Sequence, residues 1–181
     1  TKSKSTIMKK NVFVIAVMAI AMLFSNEISA QSFRGLDKSP LDVATYRTKA
    51  DGPVMKIIYS RPQLKGRTVE SLAKPGKVWR LGANESTEVV FYKDTYFGGK
   101  KVKAGTYTMY AIPGKSEWKF MINSKLHTWG AGSYKEANNV ATVKGKVSNS
   151  NKAIEAFSIT YANGNAYFGW GNIIVTIPVK G

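Results

Sequence analysis

Three polar side chains of different chemistry lie within six positions of the chain: Arg80, Asn84 and Glu85. A guanidinium, an amide and a carboxylate this close together can hold a ligand that carries hydroxyl or carboxylate groups, through paired hydrogen bonds. The same residues also suit a structural network, in which Arg80 pairs with Glu85 or Glu88 and Asn84 hydrogen-bonds within its own turn. Both alternatives stay open, and the sequence favours the structural network.

His127 and Trp129 lie in a segment that is predicted to be a loop after a strand. His127 is the only histidine of the chain, so a metal site made of several histidines is excluded, and a surface position is predicted for it. Trp129 suits either a platform that stacks on a sugar ring or a place in the core, and the sequence favours neither. The other tryptophans are predicted to be buried.

The patterns expected of a catalytic site are weak. Glu85 and Glu88 are three positions apart, and along a continuous strand this spacing directs them to opposite faces, which argues against paired catalytic carboxylates. No Gly-x-Ser-x-Gly nucleophile motif occurs. The sequence therefore favours a non-enzymatic protein that binds a ligand or partner, and predicts no cofactor and no metal. The alternative is a hydrolase of envelope glycans or peptides that uses Glu85 or His127 as its acid or base.

Short runs of alternating apolar and polar residues, separated by turn residues, are predicted to position these side chains. Asn163-Gly164 is the strongest hairpin signal, Gly98-Gly99 is a second turn, and residues 68–73 suit one helical turn. About nine strands and no long helical period predict an all-β fold, either an antiparallel β-sandwich or a jelly-roll-like arrangement. The predicted organisation is a polar N-terminal arm over residues 31–52 and a single sandwich domain over residues 53–181.

The first 30 residues are predicted to be a leader. Residues 1–7 are interpreted as an extension before Met8, and Lys9 and Lys10 then precede an apolar run over residues 12–24. A short positive region, a brief apolar core and a small residue before a polar start are typical of a secretory signal peptide. The run is shorter than the roughly 20 residues that span a membrane. We therefore expect a periplasmic or secreted protein whose mature chain has no transmembrane segment.

The composition narrows the classes of partner. The chain has no cysteine, which excludes disulfides, a lipidated cysteine anchor and zinc sites built from thiolates. Its formal net charge of +16 favours an anionic envelope component or glycan, and export argues against nucleic acid. The lysines are scattered along the chain, which favours a solubilising coat. A structural envelope protein on anionic lipid or polysaccharide is the further alternative, and the oligomeric state stays open.

A set of linked motifs runs through the predicted domain. The motifs are Ser60-Arg61-Pro62, Lys65-Gly66-Arg67, Trp79-Arg80, Gly82-Ala83-Asn84-Glu85, Ala104-Gly105-Thr106-Tyr107, Ile112-Pro113-Gly114, Trp118 and Trp129-Gly130. Together they resemble an uncharacterised family of exported bacterial proteins, the domain of unknown function 2911 family, over roughly residues 41–180. The resemblance implies a β-sandwich and no established activity. The candidate ligand-binding residues are Arg61, Arg80, Asn84, Glu85, His127 and Trp129.

Overall fold

The structure is a computed structural model, and it describes residues 32–50 and 52–181. The predicted leader over residues 1–30 lies outside the described residues. The chain divides into two units, Thr1–Gly35 and Leu36–Gly181, and all strands of the described residues belong to the second unit. In the part of the chain described here, no helix is long and apolar enough to cross a membrane.

The described residues are nearly all antiparallel β-structure, with 58% strand and 5% helix. The strands among the described residues are β1 (Leu41–Thr48), β2 (Gly52–Ser60), β3 (Glu88–Phe91), β4 (Thr95–Phe97), β5 (Lys100–Val102), β6 (Gly105–Ile112), β7 (Glu117–Asn123), β8 (Asn139–Ala162) and β9 (Asn165–Lys180). Their order in the sheet is β1-β2-β3-β6-β7-β8-β9-β4-β5. A single helical turn, α1 (Val69–Leu72), and a 3-10 turn (Glu136–Asn138) complete the elements. The predicted all-β fold class is confirmed.

The turn residues predicted from sequence join the strands as expected. Asn163 and Gly164 connect β8 to β9 with φ angles of 49° and 70°, and Gly98 and Gly99 connect β4 to β5 with φ angles of 55° and 77°. Two consecutive left-handed residues give the turn whose twist matches that of the flanking strands. Thr68 accepts a hydrogen bond from the Ser71 backbone N–H and so caps α1, which is the predicted helical turn.

β8 and β9 form a long hairpin that bends over the rest of the sheet. The pairing of β8 with β9 is irregular between Asn149 and Ile154 and again between Ile154 and Ser158. Within the second irregularity β8 lies against the segment that follows β2, where Phe157 N–H donates to the Pro62 carbonyl at 2.9 Å. The bend places the far half of the hairpin opposite the first strands, so one sheet supplies the two layers of a sandwich.

Aromatic rings from both layers fill the space between them. Trp79 stacks on Trp170 with ring centroids 5.4 Å apart, and it meets Phe157 and Trp118 edge to face at 5.1 and 6.0 Å. Trp79, Trp118 and Trp170 are at most 8% exposed, which confirms the predicted burial. Because Trp79 directly precedes Arg80, the core fixes the point from which the first candidate segment departs.

The polar segment over residues 31–52 differs from the predicted arm. Leu41–Thr48 forms the edge strand β1, which pairs along its length with β2. Only Ala44 of β1 is buried, and the Tyr46 ring lies 5.4 Å from the Tyr161 ring. An edge strand that buries so little has an apolar pattern too weak to predict from sequence.

Arg61 joins β1 to β8. Its Nη1 is 3.1 Å from Asp42 Oδ2, its Nε donates to the Phe157 carbonyl at 3.1 Å, and its Nη2 donates to Ser158 Oγ at 2.7 Å. Three nitrogens of the guanidinium are thus occupied by the fold itself. Arg61 is a structural latch rather than part of the site described below.

We expect Arg61→Ala to lower the free energy of unfolding by about 1–2 kcal/mol, because three partly buried acceptors lose a charged donor. Urea denaturation of the variant and the parent measures this difference. Arg67→Ala is the control, since the Arg67 side chain is exposed and donates only to the nearby carbonyls of Gln63 and Leu64. Equal midpoints for the Arg61 and Arg67 variants would contradict the latch.

Candidate functional site

Residues 80–86 form a loop that leaves the sheet beside β6 and returns to it. Trp79 exchanges two backbone hydrogen bonds with Ala111 of β6, at 2.7 and 2.9 Å, so the chain enters the loop from a fixed strand position. Thr87 N–H donates to the Arg80 carbonyl at 3.1 Å and closes the base of the loop. The loop is therefore an insertion between two residues that both remain in register with the sheet.

Two non-glycine residues of this loop adopt the left-handed conformation, Leu81 with φ of 56° and Asn84 with φ of 58°. Asparagine adopts this conformation readily, but leucine rarely does. Leu81 is completely buried, and its carbonyl accepts from Thr87 Oγ1 at 2.8 Å. The Trp79 indole N–H also donates to the Gly82 carbonyl at 3.1 Å. Core packing and side-chain hydrogen bonds thus hold a backbone turn that the leucine alone would not favour.

A second loop, residues 124–138, connects β7 to β8 and is anchored on Tyr110 of β6. The fully buried Tyr110 hydroxyl lies 2.8 Å from Thr128 Oγ1, and its ring packs edge to face on Tyr134 at 5.2 Å. Asn123 Nδ2 also donates to the Lys135 carbonyl at 3.1 Å. These contacts fix the second loop from both sides of its central segment.

Backbone hydrogen bonds join the two loops. Ser86 N–H donates to the Thr128 carbonyl at 2.9 Å, and Gly130 N–H donates to the Asn84 carbonyl at 3.1 Å. The buried Ser86 hydroxyl donates to the Gly130 carbonyl. We call this set of hydrogen bonds among Ser86, Asn84, Thr128 and Gly130 the loop clamp. It holds the two candidate segments of the sequence side by side.

The loop clamp brings Arg80 against Trp129. The guanidinium carbon of Arg80 lies 5.0 Å from the centroid of the Trp129 ring, a cation–π distance. Arg80 Nη1 donates to the Asn84 carbonyl at 3.0 Å, the same oxygen that accepts from Gly130. Trp129 itself is 69% exposed, so the structure resolves the open alternative in favour of a surface position.

The ion pair predicted between Arg80 and Glu85 or Glu88 does not form in the described structure. The left-handed turn at Asn84 directs its carbonyl oxygen at the guanidinium, and this oxygen takes the place expected for a carboxylate. Glu88 Oε1 instead lies 3.5 Å from Nδ1 of His127. The His127 side chain is 85% exposed, as predicted for a surface histidine.

The other candidate residues differ in their relation to the contact between Arg80 and Trp129. Asn84 Nδ2 donates to Asp37 Oδ1 at 3.1 Å, outside its own turn. Glu85 is exposed and faces Trp129 through a backbone bridge. Arg80, Asn84 and Trp129 therefore meet directly, whereas Arg61 belongs to the separate latch between β1 and β8.

An open groove lies beside the pair formed by Arg80 and Trp129. Its volume is about 450 Å³, within the usual range of small-molecule sites. The residues that line it are Val78, Trp79, Arg80, Trp129, Gly130, Ala131 and Gly132. Arg80 is the only charged residue among them, and one hydrogen bond to a carbonyl accounts for one of the five N–H donors of its guanidinium.

Sequence reasoning missed the residues that assemble this site. Ser86, Thr128 and Gly130 act through backbone and hydroxyl groups, and their sequence shows only ordinary loop composition. Gly132 lines the groove where no atom lies within 4 Å of the place its Cβ would occupy. Gly130 and Gly132, which follow Trp129 closely, are the signal in the sequence that points toward an open surface.

The donor set does not suggest a metal. Among residues 32–50 and 52–181, no group of three or more His, Cys, Asp or Glu side chains could hold a metal ion. The groove offers aromatic and apolar surface, the backbone of the exposed Gly132 and one guanidinium. This arrangement can bind through stacking and charge-assisted hydrogen bonds.

Fold and site together define an antiparallel all-β protein with an open groove beside a clamped pair of loops. The sequence profile of the DUF2911 family, described as a protein of unknown function, matches residues 39–179, so the chain belongs to that family. No curated protein and no solved structure matches the chain. The matched region begins before β1, in accord with the pairing of that strand with β2.

We expect Ser86→Ala to lower the free energy of unfolding by about 1–3 kcal/mol, because the buried Gly130 carbonyl loses its hydroxyl donor. Thermal and urea denaturation measure the change. Ser133→Ala is the matched control, since Ser133 is exposed in the same loop. If both variants unfold at the parent's midpoint, the serine hydroxyl does not hold the loops together.

Proposed function

We propose that this protein is an exported binding module that holds a ligand in the groove beside Arg80 and Trp129. One observation carries the proposal: a large aromatic side chain is held in an exposed position by a guanidinium, at the rim of an open groove. The loop clamp fixes the surrounding backbone before any ligand arrives. A site that is ordered in advance loses less conformational entropy on binding.

The geometry favours binding over hydrolysis. The hydrolase alternative uses Glu85 or His127 as its acid or base, and neither residue lines the groove. Glu88, which lies beside His127, belongs to β3 and does not line it either. A catalytic acid or base must reach the reacting bond within about 3 Å, directly or through one water. The only charged side chain that lines the groove is a guanidinium, which donates hydrogen bonds and has no acceptor atom.

The structural envelope protein is also less well supported. If the protein were a structural envelope protein, the candidate polar side chains should be dispersed and paired within the fold, as Arg61 is. Arg80 instead presents unused donors beside an exposed ring and a groove. The combination suits a recognition surface better than a solvated coat.

Export is part of the proposal and rests on the pattern of residues 8–30. We expect a full-length chain expressed in a Gram-negative bacterium to be cut after Ala30. Intact-mass spectrometry of the periplasmic fraction measures the product. A periplasmic mass that retains residues 8–30, or a chain that stays in the cytoplasm, would contradict export.

Binding in the groove is tested by filling it. We expect at least one compound of a glycan, peptide and organic-acid library to raise the melting temperature of the parent, because a ligand that binds only the native state stabilises it. Gly132→Leu should abolish that rise, since position 132 lines the groove and has open space for the added side chain.

Gly35→Leu is the matched control, because Gly35 also has open space at its Cβ position and does not line the groove. Without ligand, both variants should unfold within about 0.5 kcal/mol of the parent. A ligand-induced rise that persists in Gly132→Leu, or a library in which no compound stabilises the parent, would contradict the proposed site.

A further inference from the structure

The chemistry of the groove narrows the class of ligand, and this step rests on the proposed function. We propose that the groove selects a carbohydrate that carries a carboxylate, such as a hexuronic acid unit of an acidic polysaccharide. The carboxylate pairs with Arg80, and the face of the sugar ring lies on the apolar and aromatic wall.

The position and unused N–H groups of Arg80 are the reason to expect a carboxylate in the ligand. Nη1 is held on the Asn84 carbonyl and the guanidinium plane is held near Trp129, so its direction is fixed. The remaining N–H groups have no acceptor among the described residues. A planar guanidinium with free, oriented donors matches the two oxygens of a carboxylate, and an ordered arginine loses little entropy in binding them.

The charge around the groove supports an anion. None of the seven lining residues is acidic. Glu88 lies beside His127, and Asp37 accepts from the Asn84 amide. Glu85 is exposed and bridges to Trp129 through its backbone, but it does not line the groove. The chain's formal net charge of +16, of which residues 1–30 carry only +3, also raises the local concentration of anions near its surface.

The other residues that line the groove are the reason to expect a sugar ring in the ligand. A free carboxylate would occupy Arg80 and leave most of a 450 Å³ groove and the exposed indole of Trp129 unused. Val78 and Ala131 add apolar surface, and the exposed Gly132 leaves its main chain within reach of hydroxyl groups. Aromatic faces stack on the C–H face of a pyranose, while backbone groups bind its hydroxyls.

The test compares each acidic sugar with its uncharged methyl ester. Trisaccharides of galacturonic, glucuronic and mannuronic acid, each beside its methyl ester, are titrated into the full chain by isothermal calorimetry. We expect at least one acid to bind about 10-fold or more tightly than its ester, as charge-assisted hydrogen bonds allow. Sodium acetate at the same carboxylate concentration should not compete with that acid.

Three variants assign the effect to its residues. Arg80→Gln should remove the preference for the acid and leave weak binding of the ester. Trp129→Ala should weaken acid and ester alike. Lys119→Gln removes the same unit of charge from an exposed position on β7 and should leave both affinities unchanged.

Each contrary result has a distinct meaning. Equal affinity for acid and ester would overturn the carboxylate, and competition by acetate would overturn the sugar, while the groove could still be the binding site. An equal loss in Lys119→Gln and Arg80→Gln would reduce the effect to net charge and overturn the inference. If no trisaccharide binds, the inference is wrong, and the Gly132→Leu screen alone then decides the proposed function.

Discussion

The loop clamp is the interaction on which the rest of the site depends. Two backbone hydrogen bonds and one serine hydroxyl join residues 80–86 to Thr128–Gly130, which lie far apart in the sequence. Without them, a cation–π contact between two surface side chains would contribute only about 0.5–1 kcal/mol and would not fix either one. With them, the Asn84 carbonyl sits where it can accept from both Gly130 and Arg80.

The fold supplies the clamp with two fixed supports. Trp79 is locked between aromatic rings of the core and paired with Ala111, so the first loop departs from a rigid point. The buried Tyr110 holds the second loop through Thr128. Successive residues of a strand point to opposite faces of the sheet. The buried residues Trp79 and Tyr110 are therefore positioned by the sheet, and each of them supports one of the two exposed loops.

Alternation and turn chemistry made the fold class predictable, because both are local. The faces of β7 and the turn at Asn163-Gly164 need no knowledge of the partner strand. β1 escaped prediction because it buries little besides Ala44. Only part of the site could be predicted from the sequence. Residue type singled out Arg80 and Trp129, but their contact depends on backbone groups that the sequence does not distinguish. The partner predicted for Arg80 was a carboxylate, whereas the left-handed turn at Asn84 provides a backbone carbonyl.

Native-state hydrogen exchange tests the central claim, that the two loops are joined before any ligand binds. The Ser86 and Gly130 amides donate within the loop clamp, and the Ala111 amide donates within the sheet. The account predicts that Ser86 and Gly130 exchange at rates close to that of Ala111 and far more slowly than the exposed Gly132 amide in the same loop. Exchange of Ser86 and Gly130 as fast as that of Gly132 would contradict it.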